Sequence, residues 1–62
     1  MAEKISILIV DDEESVRDSL QNWFVEDGYH VECAENAKKA LQLLDDREFD
    51  IILADIKMPG MD

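Results

Sequence analysis

The sequence predicts an α/β fold, a doubly wound parallel sheet reduced to β-α-β-α-β with strand order 2-1-3. Three observations in the 62 residues support this prediction. Two short apolar runs, at residues 5–10 and 49–54, each end directly on an aspartate, and such runs are typical of strands buried on both faces. Two segments with helical periodicity lie between these runs. An alternating segment separates the two helices, as expected for a strand with one face in water.

The first strand and the first helix are predicted from residues 5–27. Residues 5–10 read Ile-Ser-Ile-Leu-Ile-Val and are followed by Asp11 and Asp12. From about Glu13 to Asp27 apolar residues recur at helical spacing and predict one buried stripe: Val16, Leu20, Trp23 and Phe24. Either Asp11 or Asp12 can cap the start of this helix. Gly28 is suited to end it, because glycine readily adopts the left-handed conformation that follows many helices.

The alternating strand and the second helix follow in residues 29–46. Val31 and Cys33 fall on one side of the strand, and His30 and Glu32 on the other, which predicts an edge strand. Asn36 then caps a helix. Its predicted buried stripe consists of Ala37, Ala40, Leu41 and Leu44. The residues predicted to face water are Lys38, Lys39, Asp45 and Asp46.

The third strand predicts an open edge. Strand 1 is expected at the centre because its run is apolar on both faces, and right-handed crossovers then place the two helices on opposite faces of the sheet. Strand 3, residues 49–54, has the composition of a central strand, yet no later strand in the 62 residues can pair with its outer edge. We therefore expect a truncated fold. An open edge of this kind can pair with strand 3 of a second copy, which predicts a homodimer.

Composition excludes several classes of protein. Six Lys and Arg residues against 16 Asp and Glu residues give a net charge of −10, and a pI near 4.2 argues against direct contact with nucleic acid. No apolar stretch reaches the roughly 18 residues of a membrane-spanning helix. A single cysteine, Cys33, allows no internal disulfide, which favours a cytoplasmic location. The hydrophobic fraction of 47% is too high for an acidic disordered tail.

Aspartates follow the two strands that are predicted to be neighbours. Asp11 and Asp12 follow strand 1, and Asp55 follows strand 3. We expect these carboxylates to converge, because the carboxyl ends of parallel strands form the edge where open α/β sheets bind ligands. Carboxylates suit Mg²⁺, and a carboxylate beside Mg²⁺ can attack phosphorus to form an aspartyl phosphate. The alternative is that the aspartates only cap a helix and end strands; it is disfavoured for all three together.

Three motifs carry a resemblance to a known family. Residues 8–14 read Leu-Ile-Val-Asp-Asp-Glu-Glu, residues 34–37 read Ala-Glu-Asn-Ala, and residues 55–62 read Asp-Ile-Lys-Met-Pro-Gly-Met-Asp. Together they resemble the first half of a response-regulator receiver domain, which has a flavodoxin-like fold. The resemblance implies that Asp55 is the phosphoacceptor and that Asp12 binds Mg²⁺ directly. It also implies that Asp11 acts through water and that the Lys57 backbone carbonyl is a third protein ligand.

The resemblance further implies a role and a partner. The chain is expected to be a receiver in a bacterial two-component system, not an enzyme. It would take a phosphoryl group from a sensor histidine kinase or a phosphotransfer protein and control an output such as transcription. We interpret residues 1–62 as a partial receiver domain, because the hydroxyl residue and the lysine that the family carries on later strands have no counterpart among them. The alternative is an unphosphorylated half-domain that acts only in folding or assembly.

Overall fold

The fold consists of three parallel strands and two helices in alternation. The computed structural model describes residues 4–54. In chain order the elements are β1 (Ser6–Val10), α1 (Glu14–Glu26), β2 (His30–Ala34), α2 (Ala37–Asp46) and β3 (Ile51–Ala54). β1 pairs in parallel with both other strands, so the sheet has the order β2-β1-β3. The predicted α/β fold and strand order are confirmed.

The central strand β1 supplies the core on both faces of the sheet. Ile7, Leu8 and Ile9 are almost completely buried. Successive side chains of a strand point to opposite faces, so Ile7 and Ile9 lie in one core cluster, under α1, and Leu8 lies in another, with Ala40 of α2. The two helices therefore cover opposite faces, as predicted. A continuous apolar run is what a strand between two helical layers requires.

Helix α1 packs on the sheet through a narrower stripe than the sequence predicts. Leu20 and Phe24 pack against the core cluster of this face, and Val16 is half-buried. The predicted burial of Trp23 is wrong, because 66% of this residue is exposed. Successive helical residues are about 100° apart around the axis, so Trp23 points away from the sheet when Phe24 points toward it. The Trp23 ring stacks on the Phe24 ring at a centroid distance of 6.3 Å.

The end of α1 has the geometry that Gly28 predicts. Gly28 has a φ of 94°, a conformation that glycine enters without steric cost. The Gly28 N–H donates to the Val25 carbonyl at 3.0 Å, and the Tyr29 N–H donates to the Phe24 carbonyl at 3.1 Å. These are the two hydrogen bonds of a Schellman motif. The rings of Phe24 and Tyr29 also meet edge to face at 5.8 Å, which joins the turn before β2 to the core.

Helix α2 begins as predicted. Asn36 is its N-cap residue, and the Asn36 Oδ1 accepts a hydrogen bond from the Lys39 N–H at 2.8 Å, the bond expected of a capping side chain. The side chains predicted to face water are exposed: Lys38, Lys39, Asp45 and Asp46. Neither described helix is long and apolar enough to cross a membrane.

The buried stripe of α2 differs from the prediction. Ala40 is buried and Leu44 is half-buried, as predicted. Ala37 and Leu41 are exposed, however, and Leu43 packs against the core instead. Residues three and four apart share one face of a helix, so Leu43 and Leu44 lie in line with Ala40. Ala37 and Leu41, which are four residues apart, instead line the open space between α2 and β3.

Strand β3 lies at one edge of the described sheet. The Asp50 N–H donates to the Ser6 carbonyl at 2.9 Å, and the Asp50 Oδ2 accepts from the Ser6 N–H at 2.9 Å. This residue therefore aligns the start of β3 with β1. Ile51 and Ile52 are 41% and 49% exposed. Within residues 4–54, β3 pairs only with β1, so its outer edge is open in the described sheet.

Candidate functional site

The candidate site includes the connection between β1 and α1. Three residues form this connection, and we call them the acidic turn: Asp11, Asp12 and Glu13. In the parallel register, the last residue of β1 pairs with the last residues of β2 and β3. The acidic turn therefore leaves the sheet at the edge formed by the carboxyl ends of the strands. Ligands bind at this edge in open α/β sheets.

Asp11 is the buried member of the acidic turn. Only 3% of it is exposed, and a buried polar group requires hydrogen-bond partners. Its Oδ1 accepts from the Glu13 N–H at 2.9 Å, and its carbonyl oxygen accepts from the Arg17 Nη1 at 2.7 Å. Its own N–H donates to the Ala34 carbonyl at 3.1 Å. Both the backbone and the side chain of Asp11 are thus fixed.

The capping of α1 differs from the prediction. The N-cap residue is Glu13, not Asp11 or Asp12. A capping side chain binds the N–H of the second or third helical residue, whereas the Asp11 carboxylate binds the N–H of Glu13, which precedes the helix. A side-chain bond to the N–H two residues later is characteristic of a turn. The Asp11 side chain therefore shapes the acidic turn rather than the helix.

The carboxylates of the acidic turn lie close together. One carboxylate oxygen from each of Asp11, Asp12 and Glu13 lies within 4.8 Å of the others. Asp12 and Glu13 are exposed, so solvent reaches the cluster. Grouped anionic oxygens repel one another unless a cation offsets them, and Mg²⁺ prefers hard oxygen ligands of this kind. The donor set of the acidic turn therefore fits Mg²⁺.

The predicted site residues fall into two groups. Asp11 and Asp12 lie together at the end of β1, as expected. Asp55 and Lys57 lie outside the described residues, so their part in the site stays a prediction. Glu13 is a candidate ligand that the sequence analysis did not single out. The unbroken acidic run at residues 11–14 was the signal for it.

An open, mainly apolar hollow lies beside the acidic turn. It has a volume of about 410 Å³ and lies between α2 and β3. Leu41, Ile52 and Ala54 contribute to its apolar lining, and Asp11 and Asp12 border it. Leu41 is 66% exposed because it faces this hollow rather than the core. The acidic turn thus adjoins an unfilled apolar surface.

Two further residues of β2 have side chains with possible reactivity. Cys33 packs against the core cluster under α1. Its burial raises the pKa of the thiol, and the nearby charge of Arg17 opposes this rise. His30 is exposed, and its Nε2 lies 3.2 Å from the Glu32 Oε2. These environments are those of a core cysteine and a surface histidine, as the sides of the strand predict.

Comparison with known proteins shows which family the chain resembles. The sequence profile of the response regulator receiver domain matches residues 7–62. Regulatory protein AtoC of Escherichia coli is 48% identical over 56 residues, which are 90% of this chain and 12% of AtoC. Response regulator MprA of Mycolicibacterium vanbaalenii is 38% identical over 58 residues, which are 94% of this chain and 25% of MprA.

A solved structure gives the same result. The chemotaxis protein CheY4 of Vibrio cholerae superposes with a TM-score of 0.87 at 34% identity, over 95% of this chain and 49% of that one. The chain therefore spans about half of the CheY4 structure and a quarter or less of these curated relatives. The chain belongs to the response regulator receiver domain family, the signalling modules of two-component systems.

Proposed function

We propose that this chain is the phosphoacceptor part of a bacterial two-component response regulator. Asp55 accepts a phosphoryl group from a sensor histidine kinase or a phosphotransfer protein. Asp11, Asp12, Asp55 and the Lys57 backbone carbonyl hold Mg²⁺. The observation that supports the proposal most is the position of the acidic turn, level in the sheet register with the end of β3, which Asp55 follows in sequence.

The proposed reaction is a phosphoryl transfer. A carboxylate oxygen of Asp55 forms a bond to phosphorus, and the bond from phosphorus to the donor's imidazole nitrogen breaks. The electron pair of that bond stays on the nitrogen, which takes up a proton. When bound, Mg²⁺ supplies positive charge that offsets the carboxylates and the phosphoryl oxygens. Asp11 contributes a carboxylate whose orientation is set by the Glu13 N–H.

The biological setting follows from the same proposal. The phosphorylated chain controls an output such as transcription, a role that fits the relatives AtoC and MprA. It acts as a receiver rather than an enzyme, in the cytoplasm. A charge of −10 keeps this segment away from nucleic acid. We also propose that residues 1–62 correspond to part of a receiver domain, which agrees with the 49% coverage of CheY4.

Labelling with acetyl phosphate tests the proposal. The chain should gain one phosphoryl group in the presence of Mg²⁺, as measured by intact mass spectrometry, and the modified peptide should contain Asp55. Asp55→Asn and Asp12→Ala should not be labelled, whereas Asp46→Asn, a change at an exposed carboxylate of α2, should leave labelling unchanged. Labelling that survives Asp55→Asn would contradict the assignment of Asp55. No labelling with Mg²⁺ after long incubation would favour the half-domain that acts only in folding or assembly.

The rate of labelling provides a second measurement. The resemblance implies a phosphate-binding lysine on a later strand, and the 62 residues contain no counterpart. One preorganised charge of this kind changes a rate by roughly a hundredfold or more. The 62-residue chain should therefore be labelled about that much more slowly than a complete receiver domain under the same conditions. Equal rates would contradict this part of the proposal.

We further propose that two copies of the chain pair through β3. The outer edge of β3 is open within the described sheet, and its exposed side chains include Ile51 and Ile52. A two-fold axis perpendicular to the sheet would pair β3 with β3 of a second copy, in the order 2-1-3-3-1-2, with an antiparallel central pair. The charge of −10 on each chain opposes this pairing, so salt should strengthen it.

Proline at Ile51 tests the dimer. The Asp50 N–H points toward β1, and alternate residues of a strand point their N–H groups the same way. The Ile51 N–H therefore faces the outer edge, and Ile51→Pro removes it without breaking the pairing with β1. Sedimentation should show a dimer that is stronger in salt, weakened by Ile51→Pro and retained in Ile51→Val. A folded monomer at all concentrations would refute the pairing.

A further inference from the structure

We propose that Arg17 is a positioning residue for the cation site: it holds the acidic turn in the arrangement that binds a divalent cation. The inference rests on the proposed function, in which the acidic turn contributes to the Mg²⁺ site. Arg17 is half-buried on α1, and its Nη1 donates to the Asp11 carbonyl at 2.7 Å. This distance is short for a bond from nitrogen to oxygen, as expected for a charged donor.

Arg17 holds both ends of the acidic turn. Its guanidinium binds the carbonyl of Asp11, the first residue of the turn. Its backbone N–H donates to the carbonyl of Glu13, the last residue of the turn, at 3.1 Å. Because both donors belong to Arg17, the two hydrogen bonds link the position of the Asp11 carbonyl to that of the Glu13 carbonyl through one residue. Asp12 lies between them, so its position depends on both bonds.

The contact is specific to Arg17 in the described part of the chain. The other described arginine, Arg47, follows α2, and its Nη1 donates to the Glu32 Oε2 at 2.7 Å. Arg17 instead donates from its charged group to a neutral backbone carbonyl, that of Asp11 in the acidic turn. The bond is therefore made to the backbone of the turn, where it fixes conformation.

Two effects of Arg17 on cation binding have opposite signs. Its positive charge repels a divalent cation, so removal of the charge alone would strengthen cation binding. Its hydrogen bond orders the turn, and loss of that order weakens binding because the free turn must be ordered again when the cation binds. A variant that removes both effects shows which one dominates. We expect the ordering effect to dominate.

The test is Arg17→Met in the 62-residue chain, with Arg47→Met as the matched control. Methionine keeps a flexible apolar stem and good helix propensity, and both variants change the net charge equally. Mg²⁺ titration followed by amide NMR shifts of residues 11–13 gives the Kd. Arg17→Met should raise this Kd by about threefold or more, a small effect for the loss of one hydrogen bond. Arg47→Met should leave the Kd unchanged or lower it slightly.

Hydrogen exchange of the Glu13 amide, measured without metal, supplies an independent readout. This N–H donates to the Asp11 Oδ1, so it reports the order of the turn directly. It should exchange faster in Arg17→Met by about threefold or more, and at the wild-type rate in Arg47→Met. A Kd that falls or stays constant, together with unchanged Glu13 exchange, would overturn the proposal.

The two readouts separate this proposal from the proposed function. If the wild-type chain bound no Mg²⁺, the cation site would be wrong, and unchanged Glu13 exchange in Arg17→Met would then show that Arg17 does not order the turn either. If Arg17→Met showed no cooperative melting, Arg17→Lys would replace it under the same criteria. Lysine keeps the charge and the stem, but its Nζ falls about one bond short of the Arg17 Nη1.

Discussion

The contrast between Leu8 and Ile52 tests the packing of the sheet. These residues are register partners on neighbouring strands, yet Leu8 is 0% exposed and Ile52 is 49% exposed. Truncating either to alanine removes the same number of carbon atoms. Their different surroundings should therefore produce different losses of stability.

The expected magnitudes follow from burial. Leu8 packs among residues of α2 and β2, and Leu→Ala at such sites costs about 3–5 kcal/mol, including the cavity that remains. Ile52 faces the open hollow between α2 and β3, so no closed cavity forms when it is truncated. Burial of about half of its side chain is worth about 1–1.5 kcal/mol. Leu8→Ala should therefore cost roughly 2 kcal/mol more than Ile52→Ala.

Urea denaturation followed by circular dichroism measures both losses. The wild-type chain is small and its free energy of unfolding is low. A stabilising osmolyte is therefore required to keep both variants folded before urea is added. Protein concentration should be low, because a second copy on β3 would bury Ile52. Equal losses for the two variants at low concentration would refute the burial argument. A loss at Ile52 that grows with concentration would instead show that association covers it.

Three further predictions concern single side chains. Asn36→Ala should lower the free energy of unfolding by about 1 kcal/mol, measured by urea denaturation, and Asn36→Asp should retain most of it, because either side chain can cap α2. Asp12→Ala should abolish most Mg²⁺ binding in an NMR titration. It should leave the metal-free chain equally or more stable, because one carboxylate is removed from the repelling cluster. Asp45→Ala is the control, and unchanged Mg²⁺ binding in Asp12→Ala would contradict the site. The raised pKa of Cys33 means less thiolate in the folded than in the unfolded chain at the same pH. The reaction of Cys33 with a disulfide reagent at about pH 8 should therefore be slower in the folded chain than in the urea-unfolded chain, and equal rates would contradict this. The free energy of unfolding should also fall as the pH rises above the ordinary thiol pKa.

The fold was predictable because its main signals are local. A strand buried on both faces must be continuously apolar, and the edge strand β2 must alternate, so the patterns of β1 and β2 indicate their places in the sheet. The rotation of each helix about its axis was not predictable to within one residue. Trp23 and Phe24 are both apolar neighbours, and packing against the sheet decides which one is buried. The same ambiguity affected Leu41 and Leu43 on α2.

The candidate site was predictable only in part, for a different reason. The ends of parallel strands meet at one edge, so Asp11 and Asp12 could be assigned to it from the strand order alone. The hydrogen bond from Arg17 to the Asp11 carbonyl, six residues earlier, depends on the conformation of a long side chain. The periodicity of apolar residues in the sequence does not predict that conformation. The place of Glu13 in the cluster likewise depends on the conformation of the turn.

The central position of β1 has a consequence for synthesis on the ribosome. β1 is made before either of its neighbours, and its pairs lie 24 residues away in β2 (Ser6 with His30) and 44 residues away in β3 (Ile7 with Ile51). At about 5–20 residues per second, the last of these partners follows several seconds later. During that interval the most deeply buried strand of the described sheet has no completed sheet to enter. Nascent β1 is therefore a natural binding segment for chaperones that recognise extended apolar peptides.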